Sequence, residues 1–432
     1  MRSAYAFAAG LLLLGPTAPE AAAQAPGREL VELARATQAR VEALRGLRSK
    51  RAIRFELADV ARVRAYVHAA MEAQYAPGEL AREGLAMQAL GFLPPGVDYG
   101  ALILELLQEQ VGGYYDPKTE VFYLAAWMPV ATQEPVIAHE LTHALQDQHF
   151  DLDAFQERLR GRSDAMLARA AVAEGDATLV MLLDSSRALG LELDPAALGL
   201  DGPLAELMMQ ASAAQHPALA RAPRALREAL MFPYLRGLTF VSAVRARGGF
   251  RAVDALFKRL PESSEQILHP EKYLDRPDPP TAVTLRALEG LAPEGWEAIF
   301  EDELGEAMTI QLLLGWGVDG DAARAAAAGW DGDRFVAYRQ GGALGWVGLW
   351  VWDEERDAVE FAAALAGALP ARWPGAALAP LDGSTRMEWR LADGRASAVV
   401  RQASRVLVLD GLPPAGLARL AAALGFQARP AP

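Results

Sequence analysis

Apolar residues recur along the first half of the chain at helical spacing. Between Arg28 and Leu47, Leu30, Leu33, Val41 and Leu44 form one stripe with charges between them, which predicts an amphipathic helix. Asp59 to Met71 and Pro77 to Leu90 carry the same period, and Ala101 to Glu109 is a shorter helical segment. The period then changes. Val111 to Tyr115 and Val121 to Ala125 are aromatic-rich runs on either side of Asp116-Pro117-Lys118-Thr119, where Pro presets φ and Asp accepts from the backbone, so a β-hairpin is expected. From Glu134 to about Leu260 the chain reads as helix again, broken at Gly190, Gly202-Pro203, His216-Pro217 and Phe232-Pro233.

Around Asp275-Arg276-Pro277-Asp278-Pro279-Pro280 the periodicity stops, and this stretch is the expected boundary between two domains. Beyond it, Phe335 to Arg339 and Leu344 to Trp352 read as strands and Asp353 to Leu369 as a helix. Thr385 to Leu391, Ala396 to Arg401 and Arg405 to Leu409 then read as strands before a last helix, Pro414 to Leu424. Two strand–strand–helix halves account for this order, without a close repeat between them. Alternation puts Trp346, Trp350 and Trp352 on one strand face, where they read as core against the following helix rather than as a binding platform. Asp331-Gly332-Asp333 reads as a turn ahead of a strand. The expected class is α+β. A mostly helical region covers 24–285, with N-terminal helices over 28–90 and a core with a small β-hairpin sheet over 110–275. A smaller C-terminal α+β domain of unassigned role covers 286–432.

Composition narrows the chemistry. With 432 residues, 52% hydrophobic and 22% charged, and a mean hydropathy of +0.07, the chain is neither a disordered tail nor a fibrous rod. The net charge of −13 and a pI near 5.1 argue against nucleic acid as a partner. The chain has no cysteine, which removes disulfides, thiolate metal sites and a cysteine nucleophile together. Any metal must be held by His, Asp or Glu. At the N-terminus Arg2, the apolar run Tyr5 to Leu14 and the small residues Ala21-Ala22-Ala23 read as a signal peptide over 1–23. No later run reaches the ~20 apolar residues of a membrane span, so the mature chain is expected to be exported, periplasmic or extracellular, without a stable membrane span. The oligomeric state is not encoded in any legible pattern.

Candidate chemistry centres on Ala138-His139-Glu140-Leu141-Thr142-His143-Ala144, an HExxH sequence in an otherwise uncharged helical stretch. At 100° per residue the two histidines lie about 40° apart, so both rings reach one ion at the ~2.0–2.1 Å that zinc requires. Glu140 sits beside them as a general base. Catalytic zinc normally takes a third protein ligand. His149 lies six residues after His143, but Gln146 occupies the position where a glycine would return the chain to the metal. On a continuing helix, His149 turns about 240° away from His143. Glu174, in Ala173-Glu174-Gly175-Asp176, is the better candidate, since a carboxylate on an apolar helix over Asp164 to Leu183 is costly unless paired or metal-bound. Gly175 and the adjacent alanines permit a close helix approach. Asp176, some 200° from Glu174, and Asp147, one turn beyond His143, are candidates to support the ligands rather than to bind the ion.

These residues resemble the gluzincin metallopeptidases, whose zinc is held by HExxH and a downstream Glu. His139, Glu140, His143 and Glu174 match that pattern, which implies one zinc ion per chain. Pro233-Tyr234-Leu235-Arg236-Gly237 is similar to the Pro-Tyr-x-Lys-Gly segment of one-zinc aminopeptidases related to leukotriene A4 hydrolase, and by that resemblance Tyr234 stabilises an oxyanion, with Arg236 in place of the Lys. Upstream, those enzymes carry a Glu that grips the substrate's amino group. Here Gly112-Gly113-Tyr114-Tyr115-Asp116 stands at that place with Tyr115 at the Glu position, which favours an endopeptidase over an aminopeptidase. The region Gly112 to Tyr273 also resembles a group of uncharacterised bacterial exported proteins regarded as metallopeptidases. In it, His269 and Tyr273, i and i+4 if helical, form a second candidate pair for substrate or oxyanion contact. The expected activity is zinc-dependent hydrolysis of a peptide or protein substrate. The alternative is a non-catalytic, zinc-stabilised peptide-binding or assembly protein, and a latent peptidase held by its own Gln24 to Met71 segment is a variant of the first.

Overall fold

The computed structural model describes residues 27–152, 159, 161–193, 216–288, 292–378 and 385–426. The expected leader over 1–23 and the break at Gly202-Pro203 lie outside the described residues. The first amphipathic stripe forms α1, Gly27–Arg45, and buries Leu30, Ala34, Val41 and Leu44. Next come β1 (Arg54–Ala58), α2 (Val60–Gln74), α3 (Glu79–Leu90) and α4 (Tyr99–Gln110). Asp59 and Asp98 cap α2 and α4 by accepting from Arg62 N and Ala101 N. The expected hairpin is β2 (Gly113–Asp116) and β3 (Val121–Ala125). β1 joins it as a parallel partner of β3, giving the order β1-β3-β2 with Phe55 opposite Phe122. No apolar pattern announces β1, because only Ala58 of its five residues is buried.

Helix α5, Val130–Phe150, carries the HExxH sequence and ends at Asp151, whose left-handed φ of 58° stops it one residue past Phe150. Helix α6 (Ser163–Ala188) is buried around most of its circumference. It is followed by α7 (Pro217–Arg221), α8 (Arg224–Leu256), α9 (Ser264–Leu268) and α10 (Glu271–Leu274). The break expected at Phe232-Pro233 does not occur: α8 passes through Pro233. A mid-helix proline costs about 3 kcal/mol, and burial of Leu230, Met231, Tyr234, Leu235, Leu238 and Val241 on either side outweighs it. The kink falls instead at Gly248-Gly249, where Gly249 has φ 65°.

Two glycines set the approach of α6 to α8. A Cβ on Gly175 would lie 2.3 Å from the Gly237 carbonyl, and one on Gly237 would lie 2.2 Å from the Ala171 oxygen. That crossing holds Glu174 and Tyr234, each within one turn of it, against the same region of α5.

The second half contains β4 (Glu297–Asp302), α11 (Gly305–Gly315), α12 (Gly320–Ala327), β5 (Trp330–Gln340), β6 (Ala343–Trp352), α13 (Glu355–Arg372), β7 (Ala377–Leu378), β8 (Arg386–Arg390), β9 (Ala396–Gln402), β10 (Arg405–Leu412) and α14 (Pro414–Ala423). The strands form one antiparallel sheet in the order β4-β5-β6-β10-β9-β8-β7. The two expected strand–strand–helix halves meet at the β6–β10 pair, Val347 opposite Leu409. Asp331-Gly332-Asp333 is not a turn but lies inside β5, at a bulge between Trp330 and Gly332. Gly332 is needed there because the Thr281 carbonyl occupies the space of a Cβ, and Asp333 accepts from Leu304 N and Gly305 N at the start of α11.

Both faces of the sheet are covered. Val347, Leu349, Leu407 and Leu409 pack with Leu417 and Leu420 of α14. On the other face Trp346, Trp350 and Trp352 are core residues, with Trp350 and Trp352 against Phe361 of α13. Their cluster continues without interruption into Leu90, Phe92 and Leu106 of the helical half, and Trp316 Nε1 donates to the Leu90 carbonyl at 3.0 Å. Lys272 also ties the halves, reaching Glu265, Asp278 and Asp353. The fold is thus α+β, with a helical half and a seven-stranded sheet sharing apolar core.

The α6–α8 crossing makes a direct prediction. Gly237→Ala should lower stability by about 1–3 kcal/mol, the usual cost of overpacking. Gly367→Ala, at an exposed helical site with nothing within 4 Å, should be neutral or stabilising. Thermal unfolding of the two variants checks the contrast, and equal midpoints would contradict it.

Candidate metal centre

The i, i+4 spacing on α5 brings His139 Nε2 and His143 Nε2 to 3.0 Å from each other, with the rings nearly perpendicular at 79°. Glu174 Oε2, from α6, lies 3.0 Å from the first and 3.3 Å from the second. Two imidazole nitrogens and a carboxylate oxygen therefore point at one small volume. The edges of a tetrahedron with zinc's ~2.0–2.1 Å bonds are about 3.3 Å, so the donor set and its spacing fit a zinc ion. All three residues are buried. A second group of acids, Glu265, Asp278 and Asp353, surrounds the Lys272 ammonium, which already supplies its positive charge.

Glu140 is fully buried. Its Oε2 accepts from Tyr115 N at 3.2 Å, so the backbone of β2 fixes the carboxylate, while Oε1 has no hydrogen-bond partner among the described residues. Burial is the main reason that its carboxyl is pushed up to about 7; the neighbouring Glu174 adds to the effect and His143 opposes it. The Tyr234 ring lies 6.0 Å from that of His139 at 26°, so the helix that passes through Pro233 delivers Tyr234 to the edge of the centre. The Tyr115 hydroxyl donates to Asp147 at 3.3 Å, which ties Asp147 to β2.

Asp176 is buried and faces away from the cluster, accepting from Arg45 and Gln146. His149 is carried past the centre by the continuing helix and bonds the Arg48 carbonyl at 2.8 Å. His269 and Tyr273 do not share one helix, because His269 has non-helical dihedrals at the end of α9. Instead His269 pairs with Glu306 and the Tyr273 hydroxyl donates to the Arg259 carbonyl. Gln146 and Arg45 carry roles that the sequence reading missed. Gln146 accepts from His143 Nδ1 at 2.8 Å. Its position seven residues after His139 and three after His143, on the histidine face of α5, was the available signal.

The electrostatics describe a cluster that needs positive charge. Burial works against a proton on His143, yet Glu174 outweighs it and raises this ring well above the usual histidine range. Burial would raise Glu174, but the two histidines hold it low; His139, with burial dominant, is lowered. A proton shared with His143 is thus the counter-charge of Glu174 when no metal is bound, and a metal ion must displace it. Zinc binding near neutral pH should release about one proton, and zinc affinity should fall as pH decreases. Calorimetry in two buffers of different ionisation enthalpy checks this; equal heats would contradict it.

A family model described as Domain of unknown function (DUF8575) matches residues 295–421, the span from the approach to β4 through most of α14. No curated protein and no solved structure matches the chain.

Proposed function

We propose that this chain is an exported zinc-dependent peptidase of the gluzincin type, acting on peptide bonds within a polypeptide. The observation that carries the reading is the convergence of His139 Nε2, His143 Nε2 and Glu174 Oε2 within 3.3 Å, beside a Glu140 oxygen that no other group among the described residues engages. When bound, zinc supplies Lewis-acid polarisation of the scissile carbonyl and acidifies the attacking water. Glu140 Oε1 accepts the water's proton and later returns it to the leaving amine, a task suited to a carboxyl raised to about 7. Tyr234, beside His139, donates to the developing oxyanion. β2 is one of the two edge strands of its sheet and its Tyr115 N donates to the Glu140 carboxylate, so an extended substrate paired along β2 would lie beside that carboxylate. With Tyr115 where aminopeptidases place an amine-gripping Glu, cleavage inside a chain is favoured over removal of the first residue.

One observation favours a second reading, a zinc-stabilised binding or assembly protein. The centre is largely buried, with Glu140 fully buried, His139 2% exposed and His143 and Glu174 only slightly more so, as a structural metal site would be. An intact general base with an unengaged oxygen weighs towards the enzyme, because a structural zinc site has no use for one. Incubating the protein with unstructured polypeptides, with and without a chelator, separates the two. Chelator-sensitive cleavage is expected; stoichiometric zinc without cleavage would support the binding role. Glu140→Gln should retain zinc and lose turnover by at least 10²–10³-fold. Glu174→Ala should weaken zinc retention far more than His149→Ala, and the reverse order in a metal titration would overturn the ligand set.

A further inference from the structure

The groups behind His143 form a chain of hydrogen bonds whose direction is fixed from its far end. Arg45, the last residue of α1, is fully buried, and its guanidinium can only donate. Its Nε lies 2.9 and 3.0 Å from the two oxygens of Asp176, also fully buried, and its Nη1 lies 2.7 Å from Asp254. The Asp176 carboxylate can only accept, and so can the Ala173 carbonyl. Gln146 Nε2 lies 3.0 Å from both. Its amide nitrogen must therefore face α6, and its oxygen must face His143. An amide oxygen beside Nδ1 at 2.8 Å requires that Nδ1 carry the proton. The Nε2 lone pair is then left for an ion.

We infer that Arg45, Asp176 and Gln146 are positioning residues that set the His143 tautomer for metal binding, and that α1 is consequently a working part of the metal centre. The inference rests on the zinc-centre reading above. It also bears on latency, because α1 supports the centre from behind. Its Arg40 pairs with Glu134, about 140° around α5 from His139, and with Asp184 on α6. Removing α1 would dismantle the site rather than uncover it.

Gln146→Leu removes the link to Nδ1 without changing charge. Asp176→Asn weakens the far end of the chain: one Asp176 oxygen accepts from both Arg45 Nε and Gln146 Nε2, and the Ala173 carbonyl still holds the Gln146 amide, so the hold on Gln146 is loosened rather than reversed.

Zinc affinity is measured on the full-length mature protein by competition with a chromophoric chelator, alongside the visible spectrum of the cobalt form and thermal unfolding of the chelated protein. Gln146→Leu should bind zinc about 10–100-fold more weakly, the usual effect of losing such a partner, and shift the cobalt spectrum while the chelated protein unfolds at a similar temperature; Asp176→Asn should lie between it and wild type. Should Asp176→Asn not fold, Gln146→Leu decides by itself. Zinc affinity within twofold of wild type in Gln146→Leu overturns the inference. Failure of the wild type to bind zinc sinks the metal reading and this inference with it, whereas equal binding by wild type and variants sinks this inference alone.

Discussion

The buried carboxylate of Glu174 is the constraint on which the helical half turns. An ionised carboxylate on a helix that is apolar around most of its surface is tolerable only where positive charge or donors meet it. Both imidazoles of α5 do so, at 3.0 and 3.3 Å. To bring them there, α6 must lie close to α5 and α8, and its neighbour Gly175 permits the contact with Gly237. The same crossing carries Tyr234 to the edge of His139. The meeting of His139, His143 and Glu174, the helix packing and the position of Tyr234 are thus consequences of one requirement for close approach.

A second layer of charge follows the same logic one step further out. Asp176 and Asp184 on α6 and Glu134 on α5 are each met by an arginine from α1, either Arg45 or Arg40. For the fully buried Arg45–Asp176 pair, removing one partner would leave an uncompensated charge, which costs far more than the pair gains. The first helix is therefore held to α5 and α6 by charged pairs in addition to its apolar stripe.

Among the described residues the sheet of the second half contributes no group to the centre, yet it is not a separate body in its packing. The tryptophan face of β6 shares core with α3 and α4, and Lys272 links the segment before the Pro-rich stretch to Asp353 after β6. The match to a domain family of unknown function covers this sheet and none of the candidate metal ligands. Chemistry and family resemblance thus lie on different parts of one chain.

Local pattern determined much of this. The apolar stripe of α1, the turn at Asp116-Pro117, the alternation of β6 and the 40° offset of His139 and His143 each arise from residues close in sequence, so period and spacing sufficed to read them. Glu174 was legible because an acid on an apolar helix violates a local rule. Only tertiary structure decided what depends on residues far apart. β1 is a strand because β3 offers it backbone partners, not because of its own side chains. α8 passes through Pro233 because burial on either side outweighs a local cost that the sequence shows alone. Asp331-Gly332-Asp333 became part of β5 because the Thr281 carbonyl and the start of α11 claimed its space and its acceptor. Gln146 and Arg45 gained their roles only when α1, α5 and α6 came together. A helical period reports which face a residue occupies, but not which partner that face will meet.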